Sequence, residues 1–155
     1  FTLGGTGHRA IPADYDGDGR ADAATYEEAT GHWKYVSSIS ATVQSLPDFG
    51  GGTRFAPVPA DYDGDGKADQ ALYQKKKGKW RFRLTTTATT SSFTGLGGTG
   101  WLPASGDFDG DGQVDAGAYR KSTGAWRYRN VITGVQANLP TLGGTGFVPV
   151  VGLRP

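Results

Sequence analysis

Twelve of the 15 acidic residues are aspartates confined to three nine-residue windows. The windows read Asp14-Tyr-Asp-Gly-Asp-Gly-Arg-Ala-Asp22, Asp61-Tyr-Asp-Gly-Asp-Gly-Lys-Ala-Asp69 and Asp107-Phe-Asp-Gly-Asp-Gly-Gln-Val-Asp115. Asp stands at positions 1, 3, 5 and 9 of each window, and Gly at 4 and 6. Four carboxylates this close repel one another unless a cation lies among them. A hard cation that takes about 6–8 oxygen ligands is the chemistry that suits them. Positions 1, 3 and 5 of a tightly wound loop converge on one point. Position 7 can add a backbone carbonyl, which leaves its side chain free to vary as Arg20, Lys67 and Gln113. Asp22, Asp69 and Asp115 at position 9 close the loop. Calcium is the expected ion, at about three per chain, because magnesium prefers a strict octahedron and retains several waters. The nitrogen and sulfur ligands that favour zinc are missing from the windows. The metal reads as structural: the loop fills its own ligand positions, and no nucleophile or general base recurs beside it.

The elements that position these loops follow from a repeat. Gly-Gly-Thr recurs at 4–6, 51–53, 97–99 and 143–145, at spacings of 47, 46 and 46 residues. Ten residues after the first Gly comes the first Asp of a loop. Twelve residues after that Asp comes Tyr26, Tyr73 or Tyr119, and 19 after it comes Trp33, Trp80 or Trp126. The odd residue falls after the Trp and reads as a loop insertion. Within the second unit, 55–60 reads as a strand running into the acidic loop, and 70–74 as the strand leaving it. Residues 79–84 alternate Trp80, Phe82 and Leu84 with Lys79, Arg81 and Arg83, the period of two of a half-buried strand. The Thr/Ser run 85–92 reads as a turn and edge strand, with O-glycosylation as the functional alternative.

Four short strands in about 46 residues is the signature of a propeller-type blade. The expected fold is therefore all-β: three tandem four-stranded antiparallel blades, with a metal loop between first and second strands. A β-trefoil-like three-repeat closure is the alternative. The expected units are 8–50, 51–96 and 97–142. Residues 1–7 read as the last strand of a preceding unit and 143–155 as the first strand of an incomplete fourth.

Composition agrees. Of 155 residues, 26 are Gly, which disfavours long helices because each helical Gly costs about 1 kcal/mol relative to Ala. The absence of Cys excludes disulfides and zinc thiolates. With no Met, Phe1 is not a translation start, and the chain reads as a processed product or an excerpt. No apolar run approaches the roughly 20 residues of a membrane-spanning helix.

At these residues the chain resembles the FG-GAP/VCBS repeat, the calcium-binding blade of integrin-α-like β-propellers. The likeness rests on Pro-Ala-Asp-Tyr-Asp-Gly-Asp-Gly-Lys-Ala-Asp at 59–69, Ala-Leu-Tyr at 71–73 and Gly-Lys-Trp at 78–80, and extends through all three units. The Phe-Gly and Gly-Ala-Pro elements of the integrin form are replaced by Gly-Gly-Thr. The resemblance implies extracellular or cell-surface use. It implies calcium ligands at Asp14, Asp16, Asp18, the Arg20 carbonyl and Asp22. The second set is Asp61, Asp63, Asp65, the Lys67 carbonyl and Asp69. The third is Asp107, Asp109, Asp111, the Gln113 carbonyl and Asp115.

Three functions are expected to compete, none of them enzymatic. The first is a secreted, calcium-stabilised structural or adhesive repeat. It would self-associate into a ring or head-to-tail filament through spare terminal strands. The second is a glycan-binding, lectin-like module. The third is a non-catalytic module of a larger secreted protein. Lys75, Lys77, Lys79, Arg81, Arg83, Arg127 and Arg129 form the basic surface that would meet a glycan or anionic polysaccharide. No nucleic-acid-binding motif accompanies it. The three tryptophans at equivalent positions, and Trp101, read as core.

Overall fold

A computed structural model describes residues 2–149. The chain is all-β, built of three separate four-stranded antiparallel sheets, each an up-and-down meander in chain order. The first sheet contains β1 (His8–Ala10), β2 (Ala23–Glu27), β3 (Trp33–Val36) and β4 (Val43–Leu46). The second contains β5 (Phe55–Pro57), β6 (Gln70–Gln74), β7 (Lys79–Arg83) and β8 (Thr90–Phe93). The third contains β9 (Trp101–Gly106), β10 (Asp115–Arg120), β11 (Ala125–Arg129) and β12 (Gln136–Leu139).

Each acidic window connects the first and second strands of its sheet. Backbone bridges pinch two of the windows at their base, Ala13 with Asp22 and Ala60 with Asp69.

The repeat residues are paired across strands. Tyr26 lies opposite Trp33, Tyr73 opposite Trp80 and Tyr119 opposite Trp126. Their ring centroids are 5.1, 5.2 and 4.8 Å apart. Such aromatic cross-strand pairs stabilise a sheet and help fix its register. Each Trp indole N–H donates to a carbonyl 16 residues on: Phe49 (2.9 Å), Leu96 (3.3 Å) and Leu142 (3.1 Å). Each Tyr hydroxyl accepts a backbone N–H from the glycine turn, that of Gly51, Gly98 or Gly144. Gly97 shows why the turn is glycine. Its φ is +95°, and a Cβ there would lie 2.4 Å from the Tyr73 hydroxyl. The constant Trp-to-carbonyl offset also locates the extra residue of the first period. It lies between Phe49 and Phe55, within the glycine run 50–52.

Successive sheets pack front to back. The front face of the first, with Tyr15, Trp33 and Phe49, shares one buried cluster with Phe55, Ala68 and Leu72 of the second. The front of the second, with Tyr62, Trp80, Phe82 and Leu96, shares another with Ala116 and Ala118 of the third.

The terminal segments differ from expectation. Residues 2–7 form no strand, and neither do 140–149. The repeat counterparts of 2–7 are 95–100, which follow β8 rather than belong to it. Residues 147–149 pair with no strand among the described residues, and an unpaired strand leaves its backbone groups unsatisfied. The remainder of the expected fourth-unit strand, 150–155, lies outside the described residues.

Candidate metal centres

The acidic loops are wound around their own first carboxylate. Asp61 accepts the N–H groups of Gly64 at 2.7 Å and Gly66 at 2.9 Å. Asp14 does the same for Gly17 (2.6 Å) and Gly19 (2.7 Å). Asp107 does so for Gly110 (2.7 Å) and Gly112 (3.1 Å). The two glycines adopt positive φ, +78° and +88° at Gly64 and Gly66, a conformation that L side chains rarely adopt. Asp18, Asp65 and Asp111 at position 5 accept the N–H of position 7, each at 2.8 Å. The N–H groups of Arg20, Lys67 and Gln113 therefore turn into the loop.

Position 9 is the buried end of the site. Asp22, Asp69 and Asp115 are almost fully buried. Each accepts the N–H of position 2: Tyr15 at 2.9 Å, Tyr62 at 2.8 Å and Phe108 at 2.9 Å. That residue is aromatic because it anchors the loop. Tyr15 stacks on Tyr35, Tyr62 meets Phe82 edge-on, and Phe108 packs on Tyr128. Tyr15 and Tyr62 also donate their hydroxyls to Ile11 and Val58 carbonyls at 2.8 and 2.9 Å. Burial raises both phenols above their ordinary range.

A second segment, the turn after the third strand of each sheet, completes the site. Ser37 donates to Asp16 (2.6 Å) and Ser38 to Asp18 (2.7 Å). Thr85 donates its hydroxyl to Asp65 (2.8 Å) and Asp69 (3.0 Å), and Thr86 to Asp63 (2.6 Å). Asn130 donates its amide to Asp111 (2.8 Å) and Asp109 (3.3 Å), while its carbonyl oxygen accepts the N–H groups of Ile132 and Thr133. The opening of the 85–92 run is thus part of the site. These residues escaped the repeat comparison because neither their type nor their offset is constant. The available signal is a hydrogen-bonding side chain just after each Trp-bearing strand.

The carboxylates converge in threes: Asp14, Asp16 and Asp18; Asp61, Asp63 and Asp69; Asp107, Asp109 and Asp115. In each group the candidate ligand oxygens lie within 4.8 Å of one another. Asp63 and Asp115 each keep one buried oxygen, Oδ1, without a hydrogen-bond partner. Burial pushes the Asp69 carboxyl up to about 7 and that of Asp115 up to about 6, against backbone N–H donors that act in the opposite direction. Clustered, desolvated and incompletely partnered carboxylates fit a cation, which would partner the orphan oxygens and cancel the repulsion.

The proposed basic surface divides. Lys75 and Lys77 are exposed on the turn between β6 and β7, and Lys79 is half-buried. Arg81, Arg83, Arg127 and Arg129 are half-buried on the back faces of their sheets. Arg81 lies over Phe49 of the preceding sheet at 4.8 Å and Arg129 over Phe93 at 4.6 Å. Arg127 covers Trp101 at 4.9 Å. Arginines expected to face outward are instead cation–π contacts, two of them between sheets. Trp33 and Trp80 are buried, while Trp126 and Trp101 are half-buried.

Among the described residues no helix is long and apolar enough to cross a membrane. Comparison with protein-family models finds no match, and comparison with curated proteins finds none either.

Proposed function

We propose that the chain is a calcium-stabilised, non-catalytic β-repeat scaffold serving a structural or adhesive role outside the cell. One observation carries this reading. A triad of converging carboxylates is built in every loop, from positions 1, 3 and 5 in the first and from positions 1, 3 and 9 in the second and third, on different supporting side chains. Calcium is favoured over magnesium because carboxylates, carbonyls and a flexible loop match its oxygen-rich, irregular coordination. Asp14, Asp16 and Asp18 would hold the ion in the first loop, Asp61, Asp63 and Asp69 in the second, and Asp107, Asp109 and Asp115 in the third. Its contribution is charge neutralisation, which locks each loop onto the strand-three turn.

Front-to-back packing of four-stranded meanders supports a propeller-type arrangement of blades. The extracellular assignment rests on the motif resemblance alone.

Titration calorimetry with calcium and metal analysis after dialysis test the reading. The expected result is three ions per chain and a marked fall in melting temperature with chelator, since an ion that binds only the folded state stabilises it. A chain that retains no calcium and melts identically with chelator contradicts it.

A second reading, glycan binding, has one observation in its favour. A surface recess is lined by Trp101, Leu102, Lys121, Ser122 and Thr145, which places an indole beside a cation and two hydroxyls. Silence of the calcium-loaded protein on a glycan array would remove it.

A further inference from the structure

We infer that copies of this chain stack head to tail, the front face of the third sheet of one copy covering the back face of the first sheet of the next. The inference rests on the scaffold reading and names the partner that such a scaffold takes: a second copy of itself.

The interface is already present twice within one chain. Where the first and second sheets meet, the Ala68 N–H donates to the Asp14 carbonyl at 2.6 Å. The Gln70 side chain donates to the Pro47 carbonyl at 2.8 Å, and Arg81 covers Phe49. Where the second and third meet, the Val114 N–H donates to the Asp61 carbonyl at 3.3 Å, and Arg129 covers Phe93. Position 7 of the later loop also crosses position 4 of the earlier one. A Cβ on Gly17 would touch Lys67 at 3.1 Å, and one on Gly64 would touch Gln113 at 3.4 Å.

Both halves of this interface recur at the two ends of the array, without their complements among the described residues. On the front of the third sheet, Leu142 is 74% exposed, whereas its repeat equivalents Phe49 and Leu96 are 4% and 0% exposed. Trp126 is half-buried where Trp33 and Trp80 are fully buried. Nothing lies within 4 Å of a Cβ built on Gly110, the counterpart of Gly17 and Gly64. On the back of the first sheet, Ala21 and Ala23 are exposed, whereas their counterparts Ala68 and Ala116 are buried. Arg20 and Lys34 are exposed there, at the places where Lys67 and Arg81 reach across to a preceding sheet. The opposing third loop is acidic, so Arg20 crossing Gly110 is also a favourable charge contact.

The two faces are different surfaces, so the contact is heterologous and generates a ring or an open filament. The sheet faces, rather than paired terminal strands, make the contact.

The test is sedimentation velocity of the full chain in calcium across a concentration series, for wild type, Leu142→Glu and Ala23→Glu. Wild type is expected to sediment as species larger than the monomer that grow with concentration. Each variant alone is expected to remain monomeric, with unchanged melting temperature and calcium content. An equimolar mixture of the two is expected to form a discrete dimer, because each retains the face that the other has lost. Two results overturn the inference. One is a calcium-loaded wild type that stays monomeric throughout, which leaves these faces to further repeats of a longer chain. The other is a mixture that does not pair. Loss of calcium binding with association intact would instead count against the metal assignment and spare the stacking.

Discussion

The decisive residues are the buried carboxylates at the closing end of each loop. Asp115 keeps one buried oxygen unpartnered, and burial holds its carboxyl up at about 6. Without a cation the folded-state carboxyl therefore keeps its proton to higher pH than in the unfolded chain, which titrates near 3.8. A raised folded-state carboxyl binds more protons in the native state, so stability falls as pH rises. The metal-free protein should lose melting temperature between about pH 4 and about pH 7, a window set by Asp115 and by Asp69, pushed up to about 7. Saturating calcium should flatten that slope, and parallel pH scans with and without chelator measure it. Asp115→Asn should act in opposite directions in the two states. It should leave the chelated protein at least as stable as wild type, and it should cost the loaded protein one ion. Asn130→Ala removes the donor to Asp109 and Asp111 and breaks its own turn. It should cost about 1–3 kcal/mol in denaturant unfolding, the range for leaving buried polar groups unpaired.

At the scale of elements, the Tyr–Trp pair and its glycine turn hold each sheet together. Gly97→Ala forces a Cβ to within 2.4 Å of the Tyr73 hydroxyl at a φ of +95°. It should be more destabilising than Tyr73→Phe, which loses only the hydroxyl contacts to Gly98. Trp80→Ala should cost about 3–5 kcal/mol as a fully buried aromatic, and Trp126→Ala clearly less, because its ring is half-exposed. Chemical denaturation of the four variants ranks them.

Strand positions and acidic loops were legible in the chain because both depend on local pattern: alternation in β7, and fixed offsets from Asp to Tyr to Trp. The supporting turns were not. Ser37, Thr85 and Asn130 perform one task with different side chains, and hydrogen bonding to a carboxylate tolerates that variety. Nor was the environment of Arg81 and Arg129 legible. A period of two separates the two faces of a strand, but it does not say whether the polar face meets water or the next sheet's aromatic rings. Residues 2–7 form no strand for a related reason: a strand needs a partner, and sequence similarity to a strand does not supply one.

For the whole molecule, the formal charge of +1 conceals a segregation. Twelve of its negative charges sit inside three loops, and each bound divalent cation adds two positive charges to the total. The loaded protein would be a more basic body, although each loop, with four carboxylates to one divalent cation, stays acidic. Loop also joins loop, through the Ala68 N–H to the Asp14 carbonyl and the Val114 N–H to the Asp61 carbonyl, so an ion bound in one unit would bear on the boundary with the next. The central claim is that cations close these loops, and the most direct measurement is calcium titration of the dialysed chain with the melting temperature followed in parallel. The account predicts three ions per chain and a melting temperature that climbs with occupancy and collapses with chelator. A chain that takes up no calcium, and whose melting temperature does not move, would contradict it.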